Sequence, residues 1–383
     1  MKVLISSTYF HPYSSGLSVY ALRLANGLSD RGHEVVVLTS QYNKELAVEE
    51  ILGNIKIVRV PVLTRLSKGV IMPAFLRAAR PWVKWADVVN LHLPQFESVL
   101  LSKQALKLGQ PVLVTYHCDL VMSGGLLSQL AGKVTNALGK KVLRDAALIV
   151  QNSLDYAENS ETLQPFLEKV VESPTPVMVK EVSPERVKQF RAKYDIKNNS
   201  KVIGLAGRVA TEKGFEYLAM ALPEILEKFP EATVLHAGAW KSVVGEETYQ
   251  ATLKNHLKPF GQTWRLLGFL SDEEFEAFFA LCDLLVFSSL NATESYGIVQ
   301  IEAMTQGTPV VASDLPGVRQ PVLKTGLGKI IPLRDSKAIA EAVIEVLQKG
   351  EQARFIPKEF LADFQQDAVA ARYEAWMEAV LDA

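Results

Sequence analysis

Apolar positions in this chain come as short unbroken runs, each followed by a turn rich in Gly or Pro and then by a helical spacing. The run KVLIS suits a buried strand. A loop with Pro12 and Gly16 follows, and then Val19, Leu22, Leu24, Ala25 and Leu28 in helical register up to Gly32. HEVVVLTS is the next β-branched run, so strand, helix and strand form a βαβ unit with a parallel sheet. Further strands are expected at Ile55–Val60, Val88–Leu91, Val112–Tyr116 and Ala147–Gln151. Across 171–185, Pro174, Pro176 and Pro184 break the pattern and read as a connector. The same grammar then restarts with KVIGLAG, the helical FEYLAMALPEILEKF and EATVLHAG, and strands follow at Trp264–Leu267, Leu284–Ser288, Pro309–Ala312 and Lys329–Ile331. From Asp363 to Leu381 the positions Val369, Tyr373, Trp376, Met377 and Val380 make one face of a helix able to cap either half. The expected fold class is therefore α/β, with two Rossmann-like parallel-sheet domains. Residues 1–175 form the first and 185–362 the second, with the helix 363–383 free to pack back on the first. Ligands of open parallel sheets sit beyond the strand C-termini, so two such domains facing each other would enclose a deep cleft.

Composition narrows the class. At 383 residues the chain is long enough for two or three domains, and 48% hydrophobic with 22% charged residues is globular composition. The uncharged stretch 120–132 is thirteen residues, short of the roughly 20 that a spanning helix needs. The N-terminus lacks the long apolar segment of a signal peptide. Cys118 and Cys282 cannot build a disulfide framework or a cysteine-rich zinc site, which fits a reducing, cytoplasmic compartment. Net charge is −1, which excludes a strongly basic nucleic-acid binder. The first 180 residues carry 19 basic and 14 acidic groups, the remainder 22 and 28.

Four segments carry candidate chemistry. Gly207-Arg-Val-Ala-Thr-Glu-Lys-Gly214 lies between a strand and a helix, so Arg208, Lys213 and a helix N-terminus could face a diphosphate; a solvated turn would look the same. It lacks the order of a Walker loop. Glu294-Ser-Tyr-Gly-Ile-Val-Gln-Ile-Glu302 follows LLVFSS. Glu294 is expected in the loop and Glu302 one to two turns into the helix. The N–H groups from Ser295 to Ile298 would lie between them, with both carboxylates available to hydroxyls. Tyr116-His117-Cys118-Asp119 ends a strand, where an imidazole could donate to a sugar hydroxyl or move a proton; His92 has a similar position. The loop His11–Ser18 contains Gly16, where a small turn could approach a phosphate or an acceptor.

Together these residues resemble glycosyltransferase family 4, the retaining enzymes with the GT-B fold. GRVATEKG resembles the family's G-R-x-x-x-E-K-G stretch, ESYGIVQIE its E-x-[FY]-G-x-x-x-x-E stretch, and TPVVASDLPGVRQPV the region that follows. LANGLSDRGHEVVVLT resembles the family's N-terminal half, so the likeness spans essentially the whole chain. It implies a nucleotide-diphosphate sugar, UDP- or GDP-linked, as co-substrate, with no metal or other cofactor. Arg208 and Lys213 would hold the phosphates beside Gly207. Tyr296, Gly297 and Ile298 would add backbone N–H groups, Glu302 would bind ribose hydroxyls, and Glu294 would lie near the transferred hexose. His117 would donate on the opposite wall or lie near the reacting centre, and Gly16 and Asp119 would also bind substrate, Gly16 approaching a phosphate or the acceptor. The first loop departs from the family's frequent two glycines, because Leu17 follows Gly16. SPTPVMVKEV replaces the usual Pro-Asn-Gly-Val-Asp connector, and Trp240 follows where a Gly-rich turn is common, free to pack on a base or on protein.

No acidic residue lies between Glu50 and Asp87, where Lys56, Arg59, Arg65, Lys68, Arg77, Arg80 and Lys84 alternate with apolar positions such as Val70, Ile71, Met72, Phe75, Leu76, Trp82 and Trp85. Lys133, Lys140, Lys141 and Arg144 repeat this among Leu130, Val134, Leu138 and Val142. Such segments can rest on an anionic membrane, or simply cover a core with a basic face outward. Three functions stay in view: a retaining transferase to a glycan, lipid-linked or small hydroxyl acceptor; another enzyme of this architecture, such as a sugar phosphorylase or an epimerase; and a nucleotide-sugar-binding relative without turnover.

Overall fold

The computed structural model describes residues 1–66, 69–121, 126–240, 243 and 245–382. They divide into two compact α/β units, Met1–Val177 joined by Asp363–Ala383, and Met178–Ala362.

In the first unit the strands are β1 (Lys2–Ser6), β2 (Glu34–Gln41), β3 (Glu49–Leu52), β4 (Ile55–Pro61), β5 (Thr64–Leu66), β6 (Gly69–Ile71), β7 (Val88–Leu93), β8 (Val112–Tyr116), β9 (Leu148–Gln151) and β10 (Val170–Glu172). Among the described residues eight of them form one sheet in the order β10-β9-β8-β7-β1-β2-β4-β3. All its pairings are parallel except β3 with β4, and β5 with β6 is a separate hairpin. Every residue of β7 and β8 is buried, as expected of parallel strands covered on both faces. The proline-bearing segment is thus not all connector. Val170–Glu172 pairs with β9, and the chain leaves the sheet just before Pro174 removes a donor.

The helices α1 (Gly16–Asp30), α2 (Phe75–Trp85), α3 (Ser98–Lys107) and α4 (Leu126–Asp145) link these strands, and α2, α3 and α4 lie side by side. The C-terminal helix, Gln366–Leu381, packs on α1. Its Val369, Ala370, Tyr373 and Met377 join Val3, Ile5, Leu24, Leu28, Val35 and Val37 in one core. Gly27 permits this approach, because a Cβ there would meet Ala370 Cβ at 2.8 Å and Gln366 O at 3.0 Å.

The second unit has β11 (Val202–Ala206), β12 (Thr233–Ala237), β13 (Trp264–Gly268), β14 (Leu284–Phe287), β15 (Val310–Ser313) and β16 (Gly328–Ile331). They form a parallel sheet in the order β13-β12-β11-β14-β15-β16. The helices Phe215–Lys228 and Ser336–Lys349 pack together over Ile203, Leu205, Val234, Leu284, Val286 and Val311. Trp240 is partly buried against this same core.

Candidate active site

In the second sheet β11 is followed outward by β12 and β13, while its other neighbour β14 is followed by β15 and β16. The strand order therefore reverses between β11 and β14, and ligands of such sheets collect at the carboxyl ends beside that reversal. The Gly207–Gly214 segment leaves β11 there, and Glu294–Glu302 follows β14.

Backbone packing shapes the first segment. Gly207 has φ +134° and receives the close approach of Gly238, where a Cβ would stand 2.1 Å from the Gly207 carbonyl oxygen. That carbonyl also meets His236 Nε2 at 2.8 Å. Thr211 donates through N–H and Oγ1 to buried Glu246 Oε2, at 2.9 and 2.7 Å, which pins the short turn Thr211–Lys213. Gly214 then turns left-handed at φ +62°, so close to the Ser288 carbonyl that a Cβ would meet it at 2.5 Å, and the helix Phe215–Lys228 begins. Ser288 Oγ donates to the Lys213 carbonyl at 3.0 Å, tying the two loops together.

The second segment is held as tightly. Glu294 sits in the loop, and Gly297 at φ +84° caps the helix Ile298–Thr305, where a Cβ would strike Phe287 Cζ at 2.6 Å. Buried Gln300 donates through Nε2 to the carbonyls of Tyr296 at 2.6 Å and Val318 at 3.0 Å. The start of this helix presents N–H groups that have no acceptor within the helix itself. Glu302 lies one turn in and is partly exposed.

These loops bring Lys213 and Glu294 into direct contact, Nζ to Oε2, with only 16% and 20% of the side chains exposed. Lys213 Nζ also stands 5.2 Å over the Phe287 ring, and Gly207 lies under its stem. Arg208 donates to buried Glu212. Each cation is thus held by a carboxylate at the strand end. No group of three His, Cys, Asp or Glu side chains able to hold a metal ion occurs among the described residues.

In the first unit His117 follows β8 and is buried, its Nε2 3.0 Å from Nδ1 of fully buried His92 on β7. Burial lowers the His117 pKa to about 3, and burial followed by the neighbouring His117 holds His92 well below the ordinary imidazole value. Both rings are neutral near pH 7. His92 Nε2 has no hydrogen-bond partner in the protein. If His92 donates from Nδ1, the orphan is a bare acceptor; the reverse would bury an unpaired N–H, the rarer case. His117 then carries its own proton on Nδ1. Tyr20 stacks edge-on to His117 at 5.1 Å, and its hydroxyl meets that of Tyr373 at 2.9 Å. Asp119 is partly exposed; its Oδ1 accepts from Tyr116, and its N–H donates to Tyr156 at 2.6 Å. Gly16 opens α1 on the surface, and no atom lies within 4 Å of where its Cβ would be.

Two family models match this chain. A glycosyl transferase 4-like domain covers residues 15–174, and glycosyl transferases group 1 covers residues 186–359. The chain is a group 1 glycosyltransferase of the family 4 type. It is 24% identical over 367 residues to phosphatidyl-myo-inositol mannosyltransferase of Mycolicibacterium smegmatis, across 92% of this chain and 86% of that protein. Sucrose-phosphate synthase from Thermosynechococcus elongatus superposes with a TM-score of 0.78 at 18% identity, over 100% of this chain and 99% of the other. Anabaena HepE in complex with UDP and glucose gives 0.78 at 18% identity, over 99% and 100%. These neighbours are GT-B enzymes, and the glycosyltransferase described here has that architecture.

Around this transferase's motifs, the sequence did not point to four supporting groups. Glu212 lies inside the first motif, yet only the fold reveals it as the buried partner of Arg208. Gln300 likewise lies inside the second motif, yet only the fold reveals its bond to the Val318 carbonyl, while Gly238 and Glu246 act on the first motif from roughly 30 residues further along the chain. His92 was visible as a second strand-end histidine, but its pairing with His117 depends on β7 lying beside β8.

Proposed function

We propose that the protein is a retaining hexosyltransferase that moves a hexose from a UDP- or GDP-linked sugar to a hydroxyl of a glycan, lipid-linked or small acceptor, without a metal. The observation that carries this reading is the Lys213–Glu294 contact at the strand reversal, with Arg208 alongside and the helix start at Gly297. The departing nucleoside diphosphate gains negative charge as its bond to the sugar breaks. Fixed cations and helix N–H groups there lower the barrier without reorganising. Lys213 and Arg208 exchange part of their carboxylate contacts for phosphate oxygens. Glu294 is left to accept from a sugar hydroxyl, and Glu302 from the ribose. His117, in the first unit, carries the role the resemblance gives it, a neutral donor to a sugar hydroxyl.

A donor screen tests this. UDP-, GDP- and ADP-sugars are supplied with and without EDTA, and nucleoside diphosphate release is followed. A charge-assisted hydrogen bond contributes about 1.5–3 kcal/mol, so Lys213→Ala, Arg208→Ala or Glu294→Ala should each cost at least roughly tenfold in kcat/KM. Release with one donor that survives EDTA supports the reading. Silence with every donor, cell lipid extract included, shifts it to a binding relative without turnover.

The exposed surface of the first unit supports a peripheral contact with anionic membranes. Of the apolar residues between Glu50 and Asp87, Val70, Met72 and Phe75 are buried, whereas Ile71 and Leu76 are exposed, as are Leu130 and Val134 on α4. Arg77, Lys84, Lys133 and other basic groups stand among them; Lys68 lies outside the described residues. No helix of the described residues is long and apolar enough to cross a membrane. Co-sedimentation with phosphatidylserine vesicles that falls as salt rises is the expected result, and no pelleting at low salt refutes the contact.

A further inference from the structure

The first sheet has a reversal of its own. β1 is followed outward by β2 and β4, while its other neighbour β7 is followed by β8, β9 and β10. Tyr9 and Tyr13 follow β1, Tyr42 follows β2, and Gln95 and Glu97 follow β7, so the topology gathers all five at one end of the sheet.

Tyr9 and Tyr13 stack at 4.4 Å, and Tyr42 meets both edge-on at 5.8 and 5.3 Å. Tyr13 remains 40% exposed. The loop that presents them is firmly held. Ser40 N–H and Oγ both donate to the Thr8 carbonyl, Ser7 Oγ to that of Tyr9, and Ser18 Oγ to that of Tyr13. Beside this cluster Glu97 and Gln95 are buried, at 4% and 3% exposure. Glu97 Oε2 and Gln95 Nε2 have no hydrogen-bond partner in the protein, while Gln95 Oε1 accepts from Ser6. Glu97 stands at the start of α3, yet its carboxylate does not cap the helix. The Tyr9 hydroxyl is held above its ordinary pKa by burial, then by Tyr13, with Glu97 a further contributor, which sets Glu97 within electrostatic reach of Tyr9.

We propose that Tyr9, Tyr13, Tyr42, Gln95 and Glu97 form an acceptor subsite for a neutral ring polyol, a sugar or a cyclitol. Glu97 Oε2 and Gln95 Nε2, two residues apart in the segment after β7, are an orphaned buried acceptor and an orphaned buried donor, costly unless a ligand satisfies them. A hydroxyl does so, because it donates and accepts at once. Aromatic faces suit the C–H face of a ring, with their polar rims left for its hydroxyls. A phosphate would instead meet the Glu97 carboxyl, and the two guanidiniums within electrostatic reach of the tyrosines are engaged, Arg65 on the Tyr42 carbonyl at 2.6 Å and Arg59 on the His11 carbonyl at 3.0 Å and on Glu50. Burial raises the Glu97 pKa to about 7, so the group is held ready either to accept or to donate. The proposal rests on the transferase reading only for the use made of the bound ring.

Saturation-transfer NMR tests it without turnover. The probes are methyl α-D-mannopyranoside, methyl α-D-glucopyranoside and myo-inositol, each with and without UDP or GDP. At least one probe should bind and should not be displaced by nucleotide. Its affinity should fall about fivefold or more in Tyr13→Ala and in Glu97→Gln, and recover in Tyr13→Phe. Nucleotide binding by each variant verifies folding, and exposed Tyr13 decides the matter if Glu97→Gln does not fold. Wild-type protein that binds nucleotide but none of the probes overturns the subsite. So does a probe displaced by UDP or lost in Glu302→Ala instead. An enzyme silent in the donor screen that still binds the ring through Tyr13 overturns the transferase reading and leaves the subsite standing.

Discussion

At the residue scale, two positions tie backbone or ring geometry to chemistry. Gly297 holds a left-handed conformation against the Phe287 ring, and an alanine there must bear about 1–2 kcal/mol of conformational strain before the clash at 2.6 Å is relieved. Gly297→Ala should therefore destabilise the second unit by at least about 1–3 kcal/mol and weaken UDP or GDP binding, because the helix start moves with it. Calorimetric unfolding and nucleotide titration measure both; a stable variant with unchanged nucleotide affinity would mean that this helix end is not part of the donor site. His92 acts only through its neighbour. His92→Phe fills the space but removes the partner of His117 Nε2, freeing the ring to take the other tautomer. The expected loss is in kcat more than in KM, with partial recovery in His92→Asn, whose amide can still bond the ring. Equal activity of the Phe and Asn variants would leave His92 a packing residue.

At the element scale, the C-terminal helix is bound into the first unit through Gly27. Alanine there would gain about 0.5–1 kcal/mol of helix propensity, yet its Cβ would stand 2.8 Å from Ala370 Cβ, and such overpacking costs about 1–3 kcal/mol. The clash should win, so Gly27→Ala lowers stability by about 0.5–2 kcal/mol, and Ala370→Gly in that background restores part of it. Urea midpoints of the single and double variants decide; additive losses would show that the helices do not meet there. The same helix carries Tyr373, whose hydroxyl joins those of Tyr20 and Thr115, and Tyr20 in turn supports His117. The helix face was legible from Val369, Tyr373 and Met377, but its destination was not, since an apolar stripe does not name the surface that covers it. The buried strands were legible because parallel strands read as continuous apolar runs. β10 was not, because three residues beside prolines carry no such run. The motif residues after β11 and β14 were legible as types in order. The carboxylates that hold their cations depended on contacts across 4 to 81 positions of chain.

At the scale of the whole molecule, buried titratable groups set how each unit responds to acid. His92 and His117 lie in the first unit and His236 in the second, where burial lowers its pKa to about 4. Each binds a proton below about 6.5 when unfolded but stays neutral in the fold, so the unfolded state holds more protons. Stability then falls on acidification by about 1.4 kcal/mol per pH unit per histidine. Glu97 has the opposite sign. Its folded pKa of about 7 exceeds the ordinary 4.5, so between these values the fold holds the extra proton and gains stability as pH falls. Near pH 4.5–6.5 Glu97 therefore offsets one of the two histidines of the first unit, and both units should weaken at similar slopes. Glu97→Gln removes the offset. The first unit should then lose roughly 2–3 kcal/mol more than wild type between pH 7 and 5, about a 30–100-fold extra drop in protection. Peptide-resolved hydrogen exchange at the two pH values, corrected for intrinsic rates, reads this on β7 and β8, with β11 and β12 as the internal reference. A first-unit slope that does not change in the variant would mean that Glu97 titrates in the ordinary carboxylate range and is not the poised group inferred for the acceptor subsite.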